Sequence, residues 1–309
     1  MIYKFLEVTE AAAIAACAWV GKGDEKAADR AAVDAMRAKL STIEFDGTVV
    51  IGEGERDEAP MLFIGEKVGM QKGTLMDVAV DPLEGTTICA QALPNSLSVM
   101  AIADRGCFLH APDVYMDKIA VGPGLPEHII DLDLPTERNI HNLAQAKNCN
   151  AEGLRIAVLK RERHLNLVGA IRKTGARVIL LGDGDIVAAI ATCLHDAKID
   201  MYMGIGGAPE GVLAAAAIKS LGGQMQGRLH FVNEQQKERA THMGIDDVYR
   251  KYACGEMARG RNIFFVATGV TDGILLEGVK YKQDGKVTTS SMIISNGDQI
   301  ITKVRREHM

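Results

Sequence analysis

Acidic side chains directly follow an apolar run in residues 76–87, MDVAVDPLEGTT. The run 76–80 predicts a strand, and Asp81 and Glu84 come immediately after it. Two carboxylates three residues apart can converge on one hard cation, and Mg²⁺ or Mn²⁺ prefers oxygen ligands of this kind. Ligands are also usually held at the strand ends of open α/β sheets. These residues predict a metal site, although a capped turn uses the same residue types.

The other residues of this segment suit a phosphate and a nucleophilic water. Gly85 has no side chain, so a phosphate can approach the backbone closely. The hydroxyl of Thr86 can orient an attacking water. Pro82 restricts the backbone between the two acids. The segment is therefore consistent with metal-assisted hydrolysis of a phosphate ester.

A second acidic segment, 48-TVVIGEGERDEAPML-62, again follows an apolar run. Four acids lie within residues 53–58, and their mutual repulsion raises carboxylate pKa values unless cations neutralise them. Glu53 is flanked by two glycines directly after the predicted strand, which favours a role as a metal ligand. A solvated acidic loop is the alternative, and we favour it for Glu58.

Residues 203–223, MGIGGAPEGVLAAAAIKSLGG, form the third such segment. Two glycines lead into a predicted helix whose first turn contains Pro209 and Glu210. Both are ordinary helix-start residues, but the backbone N–H groups there can also hold a phosphate. Three segments that each place acids beside glycine fit one oxygen-rich metal centre better than three coincidences.

Cationic side chains follow another predicted strand in 158-VLKRERHL-165. Arg161, Arg163 and His164 can bind a distal phosphate, although a solvated helix start explains at least two of the charges in this segment. Asp183 and Asp185 can accept hydrogen bonds from sugar hydroxyls. Their spacing alone instead favours capping of the helix that follows.

Helical and strand patterns alternate along the chain, which indicates an α/β fold. Helical patterns cover residues 8–20, 26–40, 164–173, 185–193 and 209–221. Short apolar runs predict strands at 48–51, 76–80, 97–103, 154–159, 177–181 and 262–267. Residues 287–294 and 299–304 predict a closing hairpin around Asn296 and Gly297. We expect one catalytic unit of two fused halves, 1–150 and 151–309.

The composition restricts the kinds of partner. The chain has 309 residues, 47% hydrophobic, and a net charge of -5, which argues against non-specific binding to nucleic acid or membranes. Apolar stretches are too short to span a bilayer, and the N-terminal segment predicts an amphipathic helix after Thr9 instead of a signal peptide. Six scattered cysteines are typical of reduced thiols in a cytoplasmic protein.

Together these segments resemble the lithium-sensitive, metal-dependent phosphomonoesterase superfamily, whose motif D-P-[IL]-[DE]-G-[ST] is matched by 81-DPLEGT-86. Within that superfamily the chain resembles the class II, GlpX-type fructose-1,6-bisphosphatases. The matching segments run in family order: 21-GKGDEKAAD-29, 50-VIGEGERDEAPML-62, 79-AVDPLEGTT-87, 111-APDVYMDK-118, 182-GDGD-185, 204-GIGGAPEGV-212 and 267-ATGVTDGILLEG-278. The combined set is far more specific than the motif alone.

This resemblance implies an αβαβα layered sugar-phosphatase fold with the active site between its two halves. It implies hydrolysis of the 1-phosphate of fructose-1,6-bisphosphate, a gluconeogenic step, with Mg²⁺ or Mn²⁺ as cofactor. The metal positions are Asp29, Glu53, Asp81, Glu84 and Glu210, and the water is oriented by Thr86, with Asp57 behind it. The substrate positions are Gly85, Thr86, Thr87, Tyr115, Arg161, Arg163, Asp183 and Asp185. A homo-oligomer, dimer or tetramer, is also implied.

The chain departs from the family pattern before the first of these acids. Relatives often read G-D-K-N there, whereas Glu25 occupies the lysine position and Lys26 follows. The chain also has one residue more near position 160, so Arg163 matches the family better than Arg161.

Other functions stay open from the residues alone. The same chemistry fits sedoheptulose-1,7-bisphosphate, an inositol phosphate or a 3′-phosphonucleotide. The glycines of 203–211 suggest a nicotinamide-dependent oxidoreductase, but the G-x-G-x-x-G spacing is missing. A non-catalytic metal- or sugar-binding regulator explains the acids but not the complete set that includes Thr86.

Overall fold

The computed structural model describes residues 1–54, 61–296 and 300–309. Its helices are α1 (Ile2–Cys17), α2 (Glu25–Leu40), α3 (Thr86–Ala90), α4 (Thr136–Ala146), α5 (Leu165–Lys173), α6 (Asp185–Ala191), α7 (Ala208–Ser220), α8 (Glu234–His242) and α9 (Cys254–Met257). Its strands are β1 (Asp46–Ile51), β2 (Lys67–Val68), β3 (Leu75–Glu84), β4 (Leu97–Asp104), β5 (Tyr115–Val121), β6 (Arg155–Leu159), β7 (Arg177–Leu181), β8 (Met201–Gly207), β9 (Gln224–His230), β10 (Lys251–Ala253), β11 (Ile263–Gly269), β12 (Lys280–Tyr281), β13 (Val287–Ser295) and β14 (Ile300–His308).

The chain folds into two compact units. Unit 1 contains residues 1–109 and 259–309, and unit 2 contains residues 110–258. Each unit combines helices with one mixed sheet, which confirms the predicted layered α/β class. The units do not coincide with the halves 1–150 and 151–309, because strands β11 to β14 join the sheet of unit 1. Among the described residues, no helix has both the length and the apolar character needed to cross a membrane.

The sheet of unit 1 has the strand order β12-β13-β11-β4-β3-β1-β2. An eighth strand, β14, also pairs with β13. Strands β1 and β3 run parallel, so both end at the same edge. Strands β3, β4, β11 and β13 alternate in direction. The sheet therefore brings the residues that follow β1 and the last residues of β3 to one edge.

Helices α1 and α2 cover the core of unit 1. Phe5 of α1 packs edge-on against Phe45, with ring centroids 5.1 Å apart. On α2, Ala28, Ala32 and Met36 are buried, and they recur at the helical period predicted from the sequence. Asp24 caps α2 by accepting a hydrogen bond from the Ala27 amide at 3.0 Å.

The sheet of unit 2 has the order β10-β9-β5-β8-β6-β7. Strand β5 is antiparallel to β8, with Tyr115 opposite Gly207, and β6 is parallel to both β7 and β8. The C-terminal ends of β6, β7 and β8 and the start of β5 therefore lie at one edge. Helix α7 is apolar on nearly all sides, and it is buried along most of its length, as expected for such a helix.

Most predicted elements are confirmed. Helices α2, α5, α6 and α7 lie where the sequence predicts them, while α1 begins at Ile2, before the predicted start. The closing hairpin is confirmed by the pairing of β13 with β14, although residues 297–299 of its turn lie outside the described residues.

Four strands of unit 2 escaped prediction: β5, β8, β9 and β10. The first three interrupt their apolar runs with polar residues or glycine, which hides the strand pattern, and β10 has only three residues. Helices α4 and α8 were also missed; α8 contains a single buried residue, Ala240, so its sequence has no apolar stripe.

Candidate active-site residues

Strand β3 continues through the D-P-L-E motif, so the strand does not end at Val80 as predicted. Asp81 pairs with Val99 and Glu84 with Leu97, so β3 has one extra residue between these pairs. Such a bulge tolerates Pro82, which cannot donate to a regular ladder. The bulge places the two acids of the motif close together, with carboxylate oxygens within 4.8 Å of each other.

Local hydrogen bonds fix both acids of the motif. The Leu83 amide donates to Asp81 Oδ1 at 3.1 Å. The Ser96 hydroxyl donates to the Glu84 carbonyl at 3.0 Å. Glu84 is buried and Asp81 is half-buried, so their mutual repulsion is poorly screened by water. This geometry favours a cation at the pair.

Gly85 turns the chain from β3 into α3. Its φ is +79°, and a Cβ there would lie 2.7 Å from the Ile88 side chain, so only glycine fits. Thr86 and Thr87 are the first two residues of α3, and both are half-buried. The three substrate positions of the motif thus lie on one short turn directly beyond Glu84.

The register of β1 on β3 relates Glu53 to the motif. Ile51 pairs with Ala79 on the parallel strand, so Glu53 and Asp81 each come two residues beyond the last matched pair. The Glu53 amide donates to the Leu62 carbonyl at 3.0 Å. The side chain of Glu53 is half-buried at the edge where β3 ends.

Asp29 and Asp57 are the other two candidate residues of unit 1. Asp29 lies in the second turn of α2, and burial raises the pKa of its carboxyl group. Asp57, assigned behind the water-orienting threonine, lies outside the described residues.

In unit 2, Asp183 and Arg161 form an ion pair. Arg161 Nη2 donates to Asp183 Oδ1 at 3.0 Å, and Arg161 Nη1 donates to the Gly182 carbonyl. Burial raises the pKa of Asp183, and the Arg161 charge opposes that shift. The N-cap residue of α6 is Gly184, with φ +92°, and Asp183 directly precedes it. The Gly184 amide donates to the Asp183 carboxylate, and the capping expected at this helix start stays a prediction.

Asp185 pairs with a residue that the sequence did not single out. The Lys118 ammonium donates to Asp185 Oδ2 and to the Gly207 carbonyl, the latter at 2.5 Å. The Lys118 side chain is 0% exposed. In the sequence, this residue is visible only as a lysine within YMDKIAV, directly before the apolar residues that end the strand.

Glu210 lies in the first turn of α7, after Pro209, as predicted. Burial raises the pKa of its carboxyl group, while the nearby Lys118 charge lowers it. Its Oε2 atom is buried and has no hydrogen-bond partner in the described chain. A buried carboxylate oxygen without a partner is costly, and a bound cation would satisfy it.

Tyr115 and Arg163 are brought together at the same edge of the unit-2 sheet. The Arg163 guanidinium lies 4.8 Å from the centroid of the Tyr115 ring. Its Nε and Nη2 donate to the Ile205 carbonyl at 3.1 and 2.8 Å. Both residues are exposed to solvent, which suits an anion-binding role.

His164 does not take the phosphate-binding role expected of it. The residue is only 2% exposed. The Ile205 amide donates to its Nε2 at 2.8 Å, so Nδ1 carries the proton and donates to the Leu159 carbonyl at 2.7 Å. Burial lowers the pKa of this imidazole. The neutral ring instead fixes Ile205, the residue whose carbonyl holds Arg163.

The candidate acids suit a hard divalent cation by their chemistry. Their donor atoms are carboxylate oxygens, which Mg²⁺ and Mn²⁺ prefer. The close pair Asp81–Glu84 and the partnerless oxygen of Glu210 are the observations that fit bound metal. The identity of the ion does not follow from them.

Comparison with known proteins places the chain in a family. Residues 1–308 match the family model described as bacterial fructose-1,6-bisphosphatase, glpX-encoded. The chain is 44% identical to fructose-1,6-bisphosphatase 1 class 2 of Escherichia coli K12, over 99% of this chain and 94% of that protein. It is 43% identical to fructose-1,6-bisphosphatase class 2 of Haemophilus influenzae, over 99% and 95% of the two chains. A Prochlorococcus marinus protein named D-fructose 1,6-bisphosphatase class 2/sedoheptulose 1,7-bisphosphatase is 44% identical, over 97% and 93%.

The fold and the acids of β3 define a metal-dependent sugar-phosphatase type of protein. The match along the whole length narrows this class, and the chain belongs to the glpX-encoded bacterial fructose-1,6-bisphosphatase family. The resemblance read from the sequence is thereby confirmed.

Proposed function

We propose that this protein hydrolyses fructose-1,6-bisphosphate to fructose-6-phosphate and phosphate. The observation that carries the proposal is the family match over residues 1–308, at 43 to 44% identity with named class 2 enzymes. The close carboxylate pair Asp81–Glu84 supports it, because it lies in the segment that marks metal-dependent phosphomonoesterases. Neither a nicotinamide-dependent oxidoreductase nor a non-catalytic regulator finds support in these relatives.

In this proposal five acids hold the metal: Asp29, Glu53, Asp81, Glu84 and Glu210. Mg²⁺ or Mn²⁺ held there would lower the pKa of a coordinated water and neutralise charge on the phosphoryl oxygens. The Thr86 hydroxyl would accept a hydrogen bond from the attacking water and so orient it toward phosphorus. Its place on the turn after Glu84 supports this role.

The remaining substrate positions bind the sugar and its phosphates. The amides at Gly85 and Thr87 lie where a phosphate can approach the backbone closely, at the start of α3. Arg163, supported by the Tyr115 ring, binds the 6-phosphate. Asp185 and the Asp183–Arg161 pair bind sugar hydroxyls. These assignments are proposals carried by the family positions and by the contacts within each unit.

A second sugar bisphosphate is a specific alternative. The name of the Prochlorococcus marinus relative includes sedoheptulose 1,7-bisphosphatase. Both substrates present a phosphate on a primary carbon of a ketose, so one site can accept both. We further propose a cytoplasmic, homo-oligomeric enzyme, dimer or tetramer, a state that light scattering after gel filtration measures.

Phosphate release from the purified protein tests the proposal. The panel contains fructose-1,6-bisphosphate, sedoheptulose-1,7-bisphosphate, inositol-1-phosphate and a 3′,5′-bisphosphonucleotide, each with Mg²⁺, with Mn²⁺ and with a chelator. We expect chelator-sensitive turnover with fructose-1,6-bisphosphate preferred. Preference for another ester would overturn the substrate, and turnover that survives the chelator would overturn the metal-activated water.

A further inference from the structure

Lys118 is a buried lysine for which the chemistry proposed above gives no role. It lies on β5, three residues from Tyr115. Its ammonium group contacts the carboxylate of Asp185 and the carbonyl of Gly207. A charged group that is removed from water must be paired and hydrogen-bonded, so these contacts stabilise the buried ammonium group of Lys118.

The two oxygens of Asp185 have different surroundings. Oδ2 accepts the hydrogen bond from Lys118. Oδ1 is buried and has no hydrogen-bond partner among the residues that the structure describes. The other residues of α6 are buried and apolar, so no side chain of this helix can donate to the carboxylate. One oxygen is thus held by Lys118, and the other has no partner among the described residues.

The backbone of β8 passes close beside the pair. A Cβ at Gly206 would lie 1.8 Å from Asp185 Oδ2 and 3.1 Å from Lys118 Nζ. The ion pair is therefore packed directly on the backbone of β8. Through the Gly207 carbonyl, Lys118 also connects the start of α6 to the residue that precedes α7.

We infer that Lys118 is a positioning residue for substrate binding: it holds Asp185 by Oδ2 so that Oδ1 accepts hydrogen bonds from the sugar hydroxyls. The inference deepens the proposed function and rests on it. Lys118 itself does not touch the substrate. Its loss should therefore weaken substrate binding through Asp185, while saturating Mn²⁺, which would hold the neighbouring Glu210 ionised, should leave the chemical step nearly unchanged.

A double-mutant cycle at saturating Mn²⁺ tests this role. We expect Lys118→Met to raise the KM for fructose-1,6-bisphosphate about 10–100-fold, with kcat within about threefold. Asp185→Asn should raise KM by a similar factor. The double variant Lys118→Met/Asp185→Asn should have nearly the KM of Asp185→Asn alone, because the lysine acts through that carboxylate.

The matched control is a second lysine–aspartate pair in unit 2. Lys147 donates to Asp200, whose side chain is 10% exposed, and Asp200 precedes β8 at the opposite end from Gly207. Lys147→Met makes the same change to a pair away from the substrate positions. We expect its KM to equal that of the wild type.

The outcomes separate this inference from the function on which it rests. A wild-type protein without phosphate release contradicts the proposed function, and the inference falls with it. An active wild type whose KM is unchanged in Lys118→Met contradicts the inference alone. If Lys118→Met does not fold, the double variant decides, since it removes both buried charges: a KM far above that of Asp185→Asn would overturn the inference.

Discussion

Two pairs of candidate acids, Asp81 and Glu84 in unit 1 and Asp183 and Asp185 in unit 2, have opposite surroundings. In unit 1, Asp81 and Glu84 have carboxylate oxygens within 4.8 Å of each other. In unit 2, Asp183 is paired with Arg161, and Asp185 is paired with Lys118. The first region thus brings acid next to acid, whereas the second brings acid next to base.

This difference indicates different ligands. Two close carboxylates repel each other, and a bound cation removes that cost. Acids already neutralised by a lysine or an arginine gain little from a metal, but they present fixed hydrogen-bond acceptors and donors to a sugar phosphate. In our proposal unit 1 supplies four of the five metal ligands, and unit 2 supplies the fifth, Glu210, together with many of the contacts to the substrate.

The largest expected effect concerns the acid pair of unit 1. Asp81→Asn and Glu84→Gln should each lower kcat by on the order of 10³-fold or more, because each removes a ligand of the metal that activates the water. In the absence of metal, neither substitution should lower the melting temperature below that of the wild type, because each also removes the repulsion between the two carboxylates. The measurements are phosphate release with Mn²⁺ and thermal unfolding in chelator.

The control for this pair is Asp46→Asn. Asp46 begins β1, at the opposite end of that strand from Glu53, and forms an exposed ion pair with Arg105. We expect wild-type turnover from it. Full activity of Asp81→Asn or Glu84→Gln would break the contrast between the two regions.

A smaller effect is expected from the exposed arginine of unit 2. Arg163→Met should raise the KM for fructose-1,6-bisphosphate about 10–100-fold by removing a charged hydrogen-bond donor to the phosphate, with kcat little changed. Initial-rate kinetics measure this, with Arg172→Met at the exposed end of α5 as the control. A lowered kcat with unchanged KM would show that Arg163 does not act through binding.

Gly85→Ala tests whether the turn after β3 positions the motif. Its left-handed conformation costs alanine about 1–2 kcal/mol, before any clash of the new Cβ with Ile88. We expect a lower melting temperature and weaker turnover. The control is Gly106→Ala, which has a similar φ of +82° but no atom within 4 Å of the added Cβ. Equal losses of melting temperature and turnover in both variants would show that the clash with Ile88 does not contribute to the effect of Gly85→Ala.

The smallest effect is a pH-dependent loss of stability at an acid–base pair of unit 2. Burial raises the pKa of Asp200, but the hydrogen bonds from Lys147 and Arg155 prevail, and the net shift is downward. A carboxyl group whose pKa is lower in the folded state stabilises above its unfolded pKa, and this stability is lost as the pH falls through the folded value.

Asp200→Asn should therefore lower the free energy of unfolding by about 1 kcal/mol at pH 7. The difference should shrink as the pH falls below about 4. Urea titrations of both proteins at several pH values measure it. A difference that is independent of pH would contradict the assignment of this stability to the charge on Asp200.

The sequence predicted much of this account because its signals are local. Asp81 and Glu84 follow the apolar run 76–80, although β3 continues through both of them, and Pro209 and Glu210 lie in the first turn of a helix as expected. The resemblance to a family, carried by segments along the whole chain, was confirmed.

What the sequence did not predict depends on contacts between distant residues. Lys118 and Asp185 are 67 positions apart, and only the arrangement of β5 beside β8 and α6 brings them together. His164 has the charge type expected of a phosphate ligand, but its neighbours Leu159 and Ile205 use both ring nitrogens. Strand β5 was missed because Asp117 and Lys118 interrupt its apolar pattern. The roles assigned to the candidate metal and substrate residues, Asp29, Glu53 and Thr86 among them, stay predictions.

Calorimetric titration of Mn²⁺ into the Glu84→Gln variant is the most direct test of metal binding by the acids of β3. We expect the heat of metal binding seen with the wild type to be lost or greatly weakened, while the variant still binds fructose-6-phosphate through unit 2. Wild-type Mn²⁺ affinity in Glu84→Gln would contradict the claim that the paired carboxylates of β3 hold the metal.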